Sequence, residues 1–218
     1  MSKYDEAAVL WDAIFQKRDD SVPTSSESGN AGFDKALCWL CQNTHSVLDF
    51  GCGNGTVLFL CSLYGTEQHI GIDLSEQAIR NATKRSLHMK KGAFDFRRGG
   101  IEALRLLPDA SMEAVVLSNI VDNLFPEDAR TVAAEVKRIL VENGRVFVKL
   151  NPFLTEAEIQ EYGMTVVQDN VLDDGFVLWN NSTDQWHDFF QAYFTVFEQY
   201  DIDYPEAQQS NRVFLLTK

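Results

Sequence analysis

Val47-Leu48-Asp49-Phe50-Gly51-Cys52-Gly53-Asn54-Gly55 is the stretch from which the fold is read. Val47 and Leu48 close a short apolar strand. Glycines at the alternate positions 51, 53 and 55 then form a turn too tight for side chains, and Thr56-Val57-Leu58-Phe59-Leu60-Cys61 opens a buried helix. A strand that passes through such a turn into a helix leaves bare backbone where a ligand can approach. The start of the helix adds free N–H groups and a favourable dipole.

A second strand, His69-Ile70-Gly71-Ile72-Asp73-Leu74, carries a carboxylate at its tip. An acid about 20 residues past a glycine turn is placed to accept hydrogen bonds from ribose hydroxyls, so the two features together call for a nucleoside-bearing ligand. The dinucleotide fingerprint Gly-x-Gly-x-x-Gly needs a third glycine where Thr56 stands, which counts against an NAD-linked oxidoreductase. The observed form, Asp49-Phe50-Gly51-Cys52-Gly53-Asn54-Gly55, resembles the first motif of the class I S-adenosylmethionine-dependent methyltransferases.

The rest of the chain alternates in the way that family does. A helix over 33–43 leads into the first strand, and Gly65 suits the residue just past the helix that follows the glycine turn. Ser75 is placed to cap a helix over 76–89. Ala93–Arg97 reads as strand three, and Ala114-Val115-Val116-Leu117-Ser118 as a fourth strand buried on both faces. Pro126 starts a helix over 126–141, and 144–150 is strand five. Strands separated by helices make an open doubly wound α/β sheet. Beyond it, Asp174-Gly175 turns a hairpin between Thr165–Gln168 and Phe176–Trp179, a helix covers 184–196, and strands lie near 197–202 and 211–217. The resemblance implies a mostly parallel seven-stranded sheet with an antiparallel last strand, helices on both faces, and a hairpin insertion (about 164–181) near the substrate mouth. Residues 33–218 form one domain in this reading. Residues 1–32 supply an amphipathic helix over 4–17, with Leu10, Trp11, Ile14 and Phe15 on one face, and a polar stretch over 18–30 expected to be mobile.

The resemblance also assigns roles. Gly51 and Gly53 lie beneath the cofactor with Cys52 contributing backbone, and Asp49 orients the loop or meets the methionine ammonium. Asp73 takes the ribose and Leu74 packs on adenine. The loop Gly100-Ile101-Glu102 reads the base, with Gly100 standing where relatives often place an acid. Ser118 and Asn119 approach the methionine part and the transferred methyl with backbone carbonyls. Trp11 and Phe15 either line the site beneath a lid helix or pack on the core.

Bulk properties narrow the acceptor. The chain has 218 residues and a formal net charge of −13, a surface that repels phosphate backbones and disfavours nucleic acid. It contains no run long enough to span a membrane, and its start lacks the features of a signal peptide, so a soluble cytoplasmic protein is expected. Cys38, Cys41, Cys52 and Cys61 read as core residues, and Cys38-Trp39-Leu40-Cys41 lacks a second pair for zinc; no metal is expected. His187 and Asp122 are thin candidates for a base, and no catalytic residue is assigned. Trp11, Trp179 and Trp186 around an acidic mouth would favour a cationic acceptor. The expected function is methyl transfer from S-adenosylmethionine to a small molecule; a protein acceptor and a non-catalytic cofactor-binding protein are the alternatives. Oligomeric state is not legible.

Overall fold

Alternate residues of the central strands feed opposite faces of one sheet, so two apolar layers grow from the same strands. In β1 (Ser46–Phe50) Val47 joins one layer, while Leu48 and Phe50 join the other. In β10 (Gln209–Thr217) Val213 and Leu215 oppose Phe214 and Leu216 in the same way. The first layer is completed by α2 (Ala31–Cys41) and α3 (Thr56–Leu63), and the second by α5 (Ile101–Leu104), α6 (Pro126–Ile139) and α8 (Thr183–Gln191). The structure, a computed structural model, describes residues 3–16 and 21–218. Lys17 and the opening of the polar stretch expected to be mobile lie outside the described residues.

The remaining strands of this sheet are β2 (Gln68–Asp73), β3 (Ala93–Arg98), β4 (Met112–Ser118), β5 (Leu140–Leu150) and β9 (Thr195–Tyr204). Their order is β3-β2-β1-β4-β5-β10-β9, parallel from β3 through β5, with β10 antiparallel to both of its neighbours. The expected doubly wound α/β sheet with a reversed last strand is therefore present. Connections leave β1 and β4 in opposite directions, which opens a crevice at the carboxyl ends of these two strands, the usual ligand position in such sheets.

Helix boundaries follow local chemistry. Asn30 accepts from the N–H groups of Gly32 and Phe33, so α2 begins two residues earlier than periodicity suggests. Ser75 caps α4 (Glu76–Ser86) as expected. The insertion differs from the two-stranded hairpin read from the sequence. Asp169, at φ +46°, adds a second reversal, so β6 (Thr165–Gln168), β7 (Val171–Asp173) and β8 (Val177–Trp179) form a three-stranded antiparallel sheet. The middle strand is only three residues long, too short for alternation to reveal. A further short helix, α7 (Glu156–Glu161), is closed by a Thr155/Glu158 capping box.

The N-terminal helix, α1 (Lys3–Phe15), lies against α4. Its Asp12 carboxylate accepts from Ser75 Oγ at 2.5 Å and from the Gln77 N–H at 3.0 Å, supplementing the cap of α4 from another helix. The Asn81 amide donates to the Phe15 carbonyl at 3.0 Å. At the other end, Tyr4 donates to Asp128 at 2.6 Å and accepts from the Phe125 N–H at 3.1 Å. The helix thus spans from α4 to the start of α6, across the crevice.

Candidate active site

A cleft of about 610 Å³ occupies the crevice at the ends of β1 and β4. Its floor is the glycine turn. The N–H groups of Gly51 and Cys52 both donate to the Ile72 carbonyl, at 2.8 and 3.0 Å, and stitch the turn to β2. Gly51 and Gly53 sit at φ +81° and +51°, in the left-handed region that L side chains rarely adopt. A Cβ on Gly53 would also stand 2.9 Å from the Phe15 ring, and one on Gly51 would stand 3.1 Å from Ile120. At positions 51 and 53 the turn admits only bare backbone.

Asp73 connects this turn to the next helix. Its Oδ2 accepts from the Gly53 N–H and its Oδ1 from the Ser75 N–H, both at 2.8 Å. Burial raises its pKa, and the two N–H donors oppose that rise. Each carboxylate oxygen keeps a further lone pair for a ligand hydroxyl.

Asp49 lies just behind the turn, fully buried, and its Oδ1 has no hydrogen-bond partner. Desolvation, with Asp73 adding repulsion, pushes its pKa up to about 8. A buried carboxylate without a cation is costly, so this position is strained toward a positive or donating partner. Asp49 and Cys52 are absent from the cleft wall; the Cys52 thiol packs toward Gly71 on β2.

The other ten residues singled out from the sequence all line the cleft. Leu74, Gly100, Ile101 and Glu102 form the wall beyond β2 and β3, where the Gly100 N–H donates to Glu102 Oε1 at 2.7 Å. One oxygen of the exposed Glu102 carboxylate is thereby held by its own loop. Ser118 and Asn119 mark the opposite wall. Trp11 lines the roof together with Tyr4 and Phe15, while Phe15 also packs onto the glycine turn. The face that looks inward is Tyr4-Ala7-Trp11-Phe15; Leu10, expected on that face, is 42% exposed.

Trp11 packs against Phe176 of the insertion with ring centroids 4.9 Å apart, so α1 and the β7–β8 turn meet above the cleft. Trp179 and Trp186 are elsewhere. Both are buried and pack edge-to-face against each other at 4.9 Å, which corrects the expectation that they surround the mouth. Of the three only Trp11 lines the cleft, and the Trp179 ring is instead covered by the Arg130 guanidinium, 5.8 Å from its centroid. His187 and Asp122 are not on the cleft wall either. Asp122 is buried, accepting the Asn151 N–H at 2.6 Å. Cys38 is exposed and Cys41 packs against Cys61 instead, so the C-x-x-C pair does not act as a unit. Among the described residues no cluster of three or more potential metal ligands occurs, and no helix is long and apolar enough to cross a membrane.

Sequence reasoning missed Tyr4, Asn123, Asp128 and Phe176, all on the cleft wall. The spacing of Tyr4, Ala7, Trp11 and Phe15 on one helical face could have exposed the first. The others depend on tertiary contacts, between α6 and Tyr4 and between the insertion and Trp11.

The family model described as "Methyltransferase domain" matches residues 48–148. A ribosomal protein L11 methyltransferase of Burkholderia orbicola is 35% identical over 109 residues, covering 46% of this chain and 33% of that protein. The corresponding protein of Neisseria gonorrhoeae is 30% identical over 108 residues, covering 47% and 33%. The chain thus matches about a third of the length of these curated relatives. Among solved structures, a 1,6-didemethyltoxoflavin-N1-methyltransferase from Burkholderia thailandensis, with 1,6-didemethyltoxoflavin and S-adenosylhomocysteine bound, superposes with a TM-score of 0.72 at 15% identity, covering 100% of this chain and 91% of that one. A methyltransferase from Methanosarcina mazei gives 0.68 at 17% identity, covering 81% and 93%. Residues 48–148 thus match a methyltransferase domain, and the chain shares the Rossmann-like fold of S-adenosylmethionine-dependent methyltransferases.

Proposed function

We propose that the protein transfers a methyl group from S-adenosylmethionine to a small molecule bound beneath α1. The observation that carries this reading is the pairing of a side-chain-free turn with Asp73 at the floor of one cleft, and the orphaned Asp49 carboxyl behind it. These residues fit the cofactor. Asp73 has lone pairs for ribose hydroxyls, Leu74 and Ile101 offer apolar surface to a purine, and the unpartnered Asp49 oxygen suits the side of the turn where an ammonium group would be stabilised.

When bound, the sulfonium supplies an already activated methyl group. The chain's own residues then have to hold donor and acceptor in line and keep water out, effects that can lower a barrier by roughly 7–11 kcal/mol. Closure by α1 and Phe176 over the cleft does the second. A dedicated base is not required if the acceptor arrives with a free lone pair.

The enclosed roof favours a small acceptor over a residue on a folded protein surface. The acidic charge disfavours a nucleic acid. The L11 methyltransferase relatives favour the second reading, a protein acceptor. Incubation with labelled S-adenosylmethionine and a metabolite extract, set beside a total protein extract, separates the two. Label appearing only in small molecules supports the first reading, and label only in protein overturns it.

A further inference from the structure

Three asparagines beside the cleft form a directed chain. Asn119 Nδ2 donates to Asn151 Oδ1 at 2.8 Å, and Asn151 Nδ2 donates to Asn123 Oδ1 at 3.0 Å. The central residue is clamped on both sides of its backbone. Its N–H donates to the buried Asp122, and its carbonyl accepts from both Nε and Nη2 of Arg212, at 3.1 and 2.8 Å. The Asn151 amide also lies beside the buried Asp122 carboxyl and favours its charged form. The Asn119 backbone is held at φ +54° with its N–H on the Lys149 carbonyl at 2.7 Å.

Two groups remain unused. Asn119 Oδ1 accepts no hydrogen bond, and Asn123 Nδ2 donates none, among the described residues. Both side chains belong to residues that line the cleft. Toward Asn151 the pair donates at 119 and accepts at 123. The atoms left over are the reverse pair, an acceptor at 119 and a donor at 123, on two residues of the cleft wall. An unsatisfied donor and acceptor flanking one rigid amide are the complement of another amide edge, an N–H beside a C=O.

The position assigns this edge to the acceptor molecule. Asn123 precedes Leu124, Asp128 and Thr131, which line the cleft on the side of β4 and α6, and β4 lies across β1 from the β2 strand that carries Asp73. The pair is neutral, whereas the charged ammonium of the cofactor has the buried Asp49 carboxyl as its match. Building on the methyltransferase reading, we propose that Asn119 and Asn123 recognise a neutral methyl acceptor carrying a lactam or carboxamide edge, with Asn151 and Asp122 as positioning residues. A site built to bond such an edge discriminates strongly, because a ligand lacking it leaves polar groups unpaired.

The test uses the full chain saturated with S-adenosylhomocysteine and ligand-observed NMR titration of 2-pyridone and nicotinamide, with N-methyl-2-pyridone and catechol as controls. The proposal expects 2-pyridone and nicotinamide to bind, N-methyl-2-pyridone and catechol to bind at least tenfold more weakly, and Asn123→Asp to remove the preference. The affinity of S-adenosylhomocysteine itself should change less than twofold in Asn123→Asp. Equal binding of 2-pyridone and its N-methyl derivative overturns the proposal, as does the absence of binding by both amides. A tenfold loss of S-adenosylhomocysteine affinity in Asn123→Asp also overturns it, by placing the pair on the cofactor. Failure of the wild-type chain to bind S-adenosylhomocysteine removes the methyltransferase reading itself, an outcome distinct from the others.

Discussion

Replacing Asp49 with asparagine should stabilise the ligand-free protein in alkali and weaken its grip on the cofactor. In the folded chain burial lifts the Asp49 carboxyl to about 8, from 3.8 for the same group in the open. Between those values the folded state keeps a proton that the unfolded state has released. The group's contribution to stability is therefore complete below about pH 4 and is lost as pH rises through about 8. At 1.36 kcal/mol per pH unit, the loss between about pH 5.5 and 8.5 is roughly 3 kcal/mol. For a chain of this length that is roughly 6–12 °C in Tm. The asparagine does not titrate, so the difference in Tm between Asp49→Asn and the wild type should grow by that amount across the interval, with the variant gaining. Thermal unfolding of both proteins at the two pH values, without ligand, measures it. A difference that stays constant with pH refutes the idea that Asp49 is an uncompensated buried carboxyl. Saturating S-adenosylhomocysteine should shrink the difference, because a bound ammonium would hold the wild-type carboxylate ionised.

Asp12→Ala removes an acceptor shared by Ser75 and Gln77 and should cost about 1 kcal/mol, the scale of a lost helix cap; urea unfolding together with limited proteolysis within α1 would show it, and unchanged protection would argue against the docked helix. Gly53→Ala should cost about 1–2 kcal/mol for its left-handed backbone and also displace Phe15, read as a change in Trp11 fluorescence alongside a lower unfolding midpoint. Asp73→Ala should lose one or two charge-assisted bonds of roughly 1.5–3 kcal/mol each, so calorimetry should find at least a tenfold weaker affinity for S-adenosylhomocysteine.

The features legible in the sequence were those in which one residue type answers one backbone demand. Gly51, Gly53 and Gly55 all take positive φ, Ser75 caps α4, and the apolar alternation in β1, β4 and β5 reports burial on both faces. Asp73 was legible because a strand tip fixes where its side chain can go. What stayed hidden was settled by partners far along the chain. Trp179 and Trp186 carry no mark that separates a mouth residue from a core one, and only packing against Phe189 and Phe190 decides it. The strand Val171–Asp173 is too short for its pattern to show. The Asn119-Asn151-Asn123 chain joins residues 28 and 32 positions apart, and no local spacing signals it.

The central claim is that bare main chain at the end of β1, together with the acid at the tip of β2, seats an adenosyl group that carries an amino acid. Calorimetric titration of the purified chain with S-adenosylhomocysteine, run beside NADH, tests this most directly. One equivalent of S-adenosylhomocysteine should bind with a saturating heat, and NADH should give no heat beyond dilution. Binding of NADH with no response to S-adenosylhomocysteine would contradict it.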